Sequence, residues 1–481
     1  MDARAEKFTH HEAASRLLYY SHRAPYDAPE ATRAVNPAVQ DEPARLRRAL
    51  GLWDLVLYGI ILIQPTAPMP LFGVVSDEAG GHVVTTLLIA MTAMLFTAIS
   101  YGRMARAYPS AGSAFTYVGR EIHPALGLLT GWSMVMDYIL IPVICAIWCS
   151  KAAENILPSV PYVGWVVGFS LAFTALNLRG IRATARTNAL LAAGMGLVIA
   201  WFIAAAIGYI LRLHPTAAIF ARPFYDPATF SAPRLFKGTS IAVLTYLGFD
   251  GISTLSEEVR DPEHNVMRAT VLTCLLTGVL AGLEVYLAQI IWPAGQQFPD
   301  VDTAYVYVAG RAGGPLLFQI VNFTLLVASF GSGMGGQLAA ARLLYGMGRD
   351  NALPRRFFAA LDPKRGVPRN NVLLLGALLL AGSLALNYQL GAELINFGAF
   401  VAFMGVNLSA LVRYFVRNKD RRWRDFIMPA LGFVICFYIW LNLRAPAKIA
   451  GFAWLAAGVA YGAWRTRGFR QMTVTFETPL N

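Results

Sequence analysis

Asp250 stands between Gly248 and Gly251 in an otherwise apolar stretch. A carboxylate in such a setting can attract an ammonium group or carry a proton. It is also a good helix N-cap and can simply cap the turn Ile252–Glu258; the two roles coexist. Asp250 has a counterpart early in the chain, Gln64-Pro65-Thr66-Ala67-Pro68-Met69-Pro70. Each proline deletes an N–H that a continuous helix would aim at the carbonyl four residues back, here Ile61, Gln64 and Thr66. Three such losses in six residues break the helix. In hydrocarbon a bare carbonyl costs several kcal/mol, so these carbonyls must face protein, water or a ligand. Neighbouring side chains that patch a kink are the plainer alternative.

Other polar groups lie inside apolar runs. Asp137 can join a site, pair with an arginine or bond a tyrosine, and Glu284 sits further from the breaks. Ser329 and Ser332 fall in a small-residue stretch that either approaches the breaks or merely packs closely. Cys145, Cys149, Cys274 and Cys436 all lie in apolar segments without a CxxC pair and read as small hydrophobes. The seven histidines fall in the tail or in loops, so no metal cluster is expected. Without GxSxG, HExxH or a P-loop, neither an enzyme nor a nucleotide-driven pump is indicated. Gly331, Gly333 and Gly336 fit GxGxxG, but no strand precedes them. Close helix packing explains them better, as it does Gly127–Gly131 and Gly164–Gly168.

The elements that position these groups follow from composition. The chain of 481 residues is 56% hydrophobic and 14% charged. Soluble domains carry roughly 25% charged residues, so lipid is the expected solvent. Runs long enough to cross a bilayer predict twelve helices, at 51–76, 83–103, 124–150, 160–178, 187–212, 236–257, 268–292, 314–342, 371–388, 392–413, 426–442 and 447–464. Most Lys and Arg fall in alternate connections on the side of the N-terminus, which places both termini in the cytoplasm. The connection 213–235 is an exception, external by this count yet holding several basic residues. The net charge of +12 thus reflects topology, and no nucleic-acid partner is expected. Residues 1–45 are a polar cytoplasmic tail with no signal-peptide core and a helical stretch expected around Ala13–Tyr20. The breaks fall at matching places in the first and sixth predicted helices, which run in opposite directions. Interruptions at equivalent positions of inverted repeats point to a transporter binding site.

Several segments then carry a resemblance: Tyr108-Pro109-Ser110-Ala111-Gly112-Ser113-Ala114-Phe115-Thr116-Tyr117, Gly131-Trp132, Asn177-Leu178-Arg179-Gly180, Gly248-Phe249-Asp250-Gly251 with Ser256-Glu257-Glu258, and Arg342-Leu343-Leu344-Tyr345-Gly346-Met347-Gly348-Arg349-Asp350. In this order the chain resembles the amino acid–polyamine–organocation permease superfamily over roughly residues 46–470. Gly73-Val74-Val75-Ser76, Gly81-His82-Val83, Phe96–Gly102 and Ile395–Phe400 look most like its bacterial putrescine-importer-type branch. The resemblance implies an all-α membrane fold of two inverted five-helix repeats plus two C-terminal helices. Its expected parts are 46–257 (helices 1–5 and broken helix 6), 258–413 (helices 7–10), 414–470 (helices 11–12) and a cytoplasmic C-terminal tail, 471–481. It further implies import of a small organic amine, amino acid or polyamine, across the cytoplasmic (inner) membrane, coupled to a proton or cation gradient. An amino-acid exchanger is the alternative, ahead of a membrane-embedded sensor or enzyme.

The candidate substrate-binding residues are Ile61, Gln64, Pro65, Thr66, Ala67, Asp137, Tyr246, Gly248, Phe249, Asp250 and Gly251, with Ser329 and Ser332 as ion-coupling candidates. No catalytic residue, metal or cofactor is expected. Three departures from the family pattern matter. The glycine-rich turn whose N–H groups hold a substrate carboxylate is here replaced by Gln64–Pro70, which disfavours an ordinary α-amino acid. The outer-half carboxylate of putrescine-type relatives corresponds to Pro70. No lysine occurs in 187–211, where some relatives carry a proton-coupling group.

Overall fold

Apolar segments closed by prolines, caps and left-handed residues fold into helices throughout a computed structural model. It describes residues 50–109, 113–180, 185–214, 216–293, 295–349, 351–363, 365–418, 420 and 422–468. The two tails, including the stretch Ala13–Tyr20, lie outside the described residues. The helices are α1 (Leu52–Ile63), α2 (Phe72–Glu78), α3 (Val83–Ala107), α4 (Ser113–Glu121), α5 (Pro124–Ile156), α6 (Tyr162–Leu178), α7 (Ala185–Arg212), α8 (Ala217–Ala221), α9 (Ala232–Ala242), α10 (Pro262–Ile291), α11 (Ala304–Arg349), α12 (Arg355–Phe358), α13 (Arg369–Ala385), α14 (Tyr388–Leu411), α15 (Trp423–Leu441) and α16 (Ala445–Arg465). Two 3₁₀ segments, Val243–Tyr246 and Phe249–Glu258, follow α9, and a π turn, Val412–Val416, ends α14. Among the described residues there is no strand beyond a single bridge between Leu50 and Val259.

Local chemistry explains the starts. Pro124 and Pro262 open α5 and α10, where a missing N–H costs nothing. The Asn387 side chain accepts from Leu390 N at 2.8 Å and caps α14. Gly314, at φ +80°, and Pro315 divide α11 into 304–313 and a longer second helix. The sequence reading began this element only at 314.

Seven helices are long and apolar enough to cross a membrane by length and composition: Val83–Ala107, Pro124–Ile156, Leu190–Arg212, Pro262–Ile291, Ala304–Arg349, Tyr388–Val416 and Trp423–Leu441. Leu52–Ile63, Tyr162–Leu178 and Arg369–Ala385 are apolar but shorter. α10 packs on α3, and both α11 and α14 pack on α5. Leu171, Leu197, Leu211, Val279 and Ile449 stay exposed, as side chains facing lipid do.

Glycines set the closest approaches. Gly127 meets Gly119 and Phe115, and Gly131 meets Phe115, so this pair seats α5 on α4. Gly164 meets only the adjacent Val160 and Pro161, and Gly168 touches nothing, so among the described residues the second GxxxG marks no helix contact. Gly333 faces Phe173 of α6 and Cys145 of α5, and Gly336 faces Ile141 and Pro142 of α5. Two of the three glycines of the GxGxxG spacing thus serve close packing of α11, while Gly331 meets no neighbour among the described residues. α16 is pinned to α5 by a reciprocal pair: Trp132 Nε1 donates to Trp454 O and Trp454 Nε1 to Trp132 O, both at 2.9 Å.

One end of the bundle carries a buried ion cluster. Glu121, fully buried, accepts from Arg413 at 2.6 Å, Arg417 at 2.7 Å and Tyr108 OH at 2.7 Å. Arg103 pairs with Asp425 at 2.5 Å. Elsewhere Arg444 pairs with Glu393 at 2.6 Å and reaches Glu78 at 3.9 Å. Arg234, from the anomalously basic connection, donates to the carbonyls of Asp77 and Glu78, so at least one of its cations serves as a helix C-cap.

Candidate functional site

The first interruption separates α1 from α2. Gln64 N still donates to Ile60 O at 2.9 Å, but Gln64 itself takes φ +71° and ends the helix. The chain then runs through tight turns, in which Ala67 N donates to Gln64 O at 3.1 Å and Met69 N to Thr66 O at 3.0 Å. Two of the three carbonyls expected to be bare are therefore served by turn N–H groups. Ile61 O alone keeps neither its helical donor, deleted by Pro65, nor such a replacement among the turn bonds. Gln64 Nε2 donates to Ala328 O at 2.9 Å and ties the break to α11, one residue before Ser329. Thr66 is buried against Met195 of α7.

The second interruption follows Tyr246. Leu247 is extended, Gly248 takes φ +118°, and the chain resumes as a 3₁₀ helix. That φ falls outside the reach of ordinary side chains, which accounts for the glycine. The Asp250 carboxylate is held by backbone N–H groups of Asp250 and Gly251 at the start of the following turn, and its Oδ1 accepts from Gly248 N at 3.3 Å, which closes the glycine turn. Ser253 Oγ donates to Asp250 O at 2.6 Å and lies 2.9 Å from Ser113 Oγ.

The two interruptions adjoin. A methyl group on Gly248 would stand 3.2 Å from Leu62 Cγ and 3.4 Å from Ile63 N, and Gly251 meets Leu62 as well. Asp137 of α5 and Asp250 lie within electrostatic reach of each other, and both act on Tyr101 and Tyr138. Among the described residues no basic side chain acts on either carboxylate. Asp137 Oδ1 is buried without a hydrogen-bond partner. Aromatic rings wall the site: Phe249 meets Tyr101 at 5.6 Å and Phe403 at 5.3 Å. Pro142, inside α5, removes the N–H that would serve Tyr138 O, adding one more acceptor. Donors are scarce, since Gly251 N is spent on Gly248 O and Leu247 N on Leu244 O. The place is rich in acceptors and poor in donors, which suits an ammonium group, a carrier of donors only.

The remaining candidates sit differently. Tyr246 is buried and its hydroxyl donates to Leu87 O at 2.9 Å, so it braces α3. Ser332 is within hydrogen-bonding reach of the Cys145 thiol. Tyr101, Tyr138, Phe403 and Pro142 escaped the sequence reading. Only Pro142 carried a usable signal, being a proline within a long apolar run.

An all-helical, largely apolar chain with unpaired carboxylates beside two helix interruptions has the form of a membrane permease. The chain matches the family described as amino acid permease over residues 65–475, and it belongs to that family. It is 35% identical over 446 residues to the low-affinity putrescine importer PlaP of Escherichia coli K12, covering 90% of this chain and 96% of that protein. It is 28% identical over 442 residues to an uncharacterized transporter of Mycobacterium tuberculosis H37Rv, covering 90% and 95%. To the branched-chain amino acid permease BcaP of Lactococcus lactis it is 27% identical over 467 residues, covering 89% and 97%. The chain is therefore a multi-pass membrane transporter rather than an enzyme.

Proposed function

We propose that this permease imports a small organic amine, and that a diamine of the putrescine type fits it best. The observation that carries the reading is the convergence of Asp137 and Asp250 with no basic partner acting on either. Two carboxylates match two ammonium groups. A neutral amino acid would bring one ammonium and one carboxylate. The carboxylate needs N–H donors, and those of Ala67, Met69 and Gly251 are already spent. The aromatic wall of Tyr101, Phe249 and Phe403 suits the methylene chain and the cation together. The similarity to a putrescine importer points the same way.

Substrate sits, in this reading, between the interruptions at Gln64–Pro70 and Gly248–Gly251, against Ile61, Thr66, Ala67, Asp137, Phe249 and Asp250. Ser329, next to the Ala328 carbonyl that Gln64 holds, and Ser332 are the candidates to meet a coupling ion. Transport is driven by a proton or cation gradient. The helices form twelve spans, as two inverted five-helix repeats, 46–257 and 258–413 (broken helix 6, the opening helix of the second repeat, being counted with the first part), followed by two further helices, 414–470, with both termini inside. Support comes from the placement of both interruptions about a dozen residues into their helices and from the alternation of basic connections.

The test is uptake by proteoliposomes. Labelled putrescine should enter saturably and be displaced by unlabelled diamines more strongly than by leucine. Displacement by leucine alone would move the assignment to a neutral amino acid. For topology, cysteine at Arg356 or Arg422, in a chain lacking its native cysteines, should resist impermeant thiol reagents in intact cells. Labelling there as fast as in 299–303 would refute the orientation.

A further inference from the structure

We infer that Glu284 is the proton-carrying group of this transporter, and that it couples the proton to closure of α2 over the site. The inference rests on the transporter reading and adds to it the coupling ion and its residue. Glu284 lies in α10, about two helical turns before its end, and is fully buried. Neither Oε1 nor Oε2 has a hydrogen-bond partner among the described residues. α1, α3, α7, α11 and the 3₁₀ segments pack against α10. Of their described titratable groups, the Tyr305 hydroxyl is the one on which Glu284 acts, and it donates to Glu284 O, not to the carboxylate. Every other buried acid described here has a partner or a neighbouring charge: Glu121 and Glu393 have arginines, and Asp137 and Asp250 have each other.

Position gives this isolated acid a role. The Tyr305 ring stands edge-on to Phe72, the first residue of α2, at 5.6 Å, and 4.9 Å from Phe202 of α7. Gly73 of α2 meets Val301 and Ala304. α2 and the start of α11 therefore close together over Glu284. An ionised carboxylate sealed there without a partner is costly; a protonated one is tolerated. When α2 moves away and water enters, the carboxyl can exchange its proton with the outside. Once the site opens to the cytoplasm, the proton leaves to water on that side. Closure then requires Glu284 to hold a proton and the Asp137–Asp250 site to hold the two ammonium groups of a diamine. One proton and one amine cross together, since neither alone neutralises every acid that closure buries.

Purified protein reconstituted in liposomes holding a pH-sensitive dye tests this, with labelled putrescine as probe. Two reactions are read: counterflow without a pH gradient, and accumulation driven by external acid. Glu284→Gln should keep at least half of the counterflow while losing acid-driven accumulation and the dye response at least tenfold. Glu284→Asp, which still ionises, should retain coupling with a shifted pH profile. Wild-type accumulation and dye response in Glu284→Gln would overturn the inference. So would joint loss of counterflow and accumulation in well-folded Glu284→Gln, or wild-type protein that exchanges putrescine without moving protons. If Glu284→Gln is not recovered folded, an unshifted pH profile in Glu284→Asp overturns it. Wild-type protein showing counterflow with neither putrescine nor leucine refutes the transporter reading itself.

Discussion

Glu121 and the pair Asp137–Asp250 are the same chemical group in opposite circumstances. Glu121 is fully buried yet answered by two guanidinium groups and a phenol. Asp137 and Asp250 lie within electrostatic reach of each other, and among the described residues no cation answers either. The first arrangement is complete, so its energy is spent on holding α4 to the end of α14. The second is incomplete, and the missing charge is what a substrate supplies. A buried acid that lacks its counter-ion points to a ligand more strongly than an acid that has one.

Three variants can break or sharpen that contrast. The largest effect should come from removing both partners of Glu121. Arg413→Met with Arg417→Met leaves a buried charge unpaired, and stability should fall by about 3–5 kcal/mol. Thermal unfolding in detergent reads this, and an unchanged transition would mean the cluster is ornamental. Asp250→Asn should do the reverse. The unfolding transition stays near wild type while putrescine uptake falls at least tenfold, or about 1.4 kcal/mol. Wild-type kinetics in well-folded Asp250→Asn would show that its charge is dispensable. The smallest effect is expected for Asp137→Asn, a roughly threefold rise in the half-saturation concentration for putrescine, about 0.7 kcal/mol. Competition by a monoamine should be altered less, because one ammonium can still use Asp250. Equal losses for both amines would remove the argument for two carboxylates serving two ends.

The interruptions were legible before any coordinates because proline and glycine act locally. Pro65, Pro68 and Pro70, three within six residues, forbid a continuous helix, and Gly248 announces a backbone that few residues adopt. The partners were not legible. Asp137 and Asp250 are far apart in sequence, on helices with no shared pattern, and only packing brings them together. Glu121 and its arginines are likewise far apart, 292 and 296 residues along the chain. The role of Asp250 as a cap was a reasonable local expectation. Gly248 adds to it by turning its own N–H back toward the carboxylate before the helix restarts. Gly168 shows the converse weakness, a packing motif whose spacing is right and whose neighbour is missing.

The π turn at Val412–Val416 makes the chain sensitive to length at that point. A π turn accommodates one residue more than an α-helical turn would. Deleting one residue there returns the turn to α geometry with the rest in register, whereas inserting one more just ahead of Arg413 would rotate everything beyond it by about 100°. Both guanidinium groups would swing off Glu121, and α15 would leave α14 in a new direction. Here a one-codon insertion is a change of architecture.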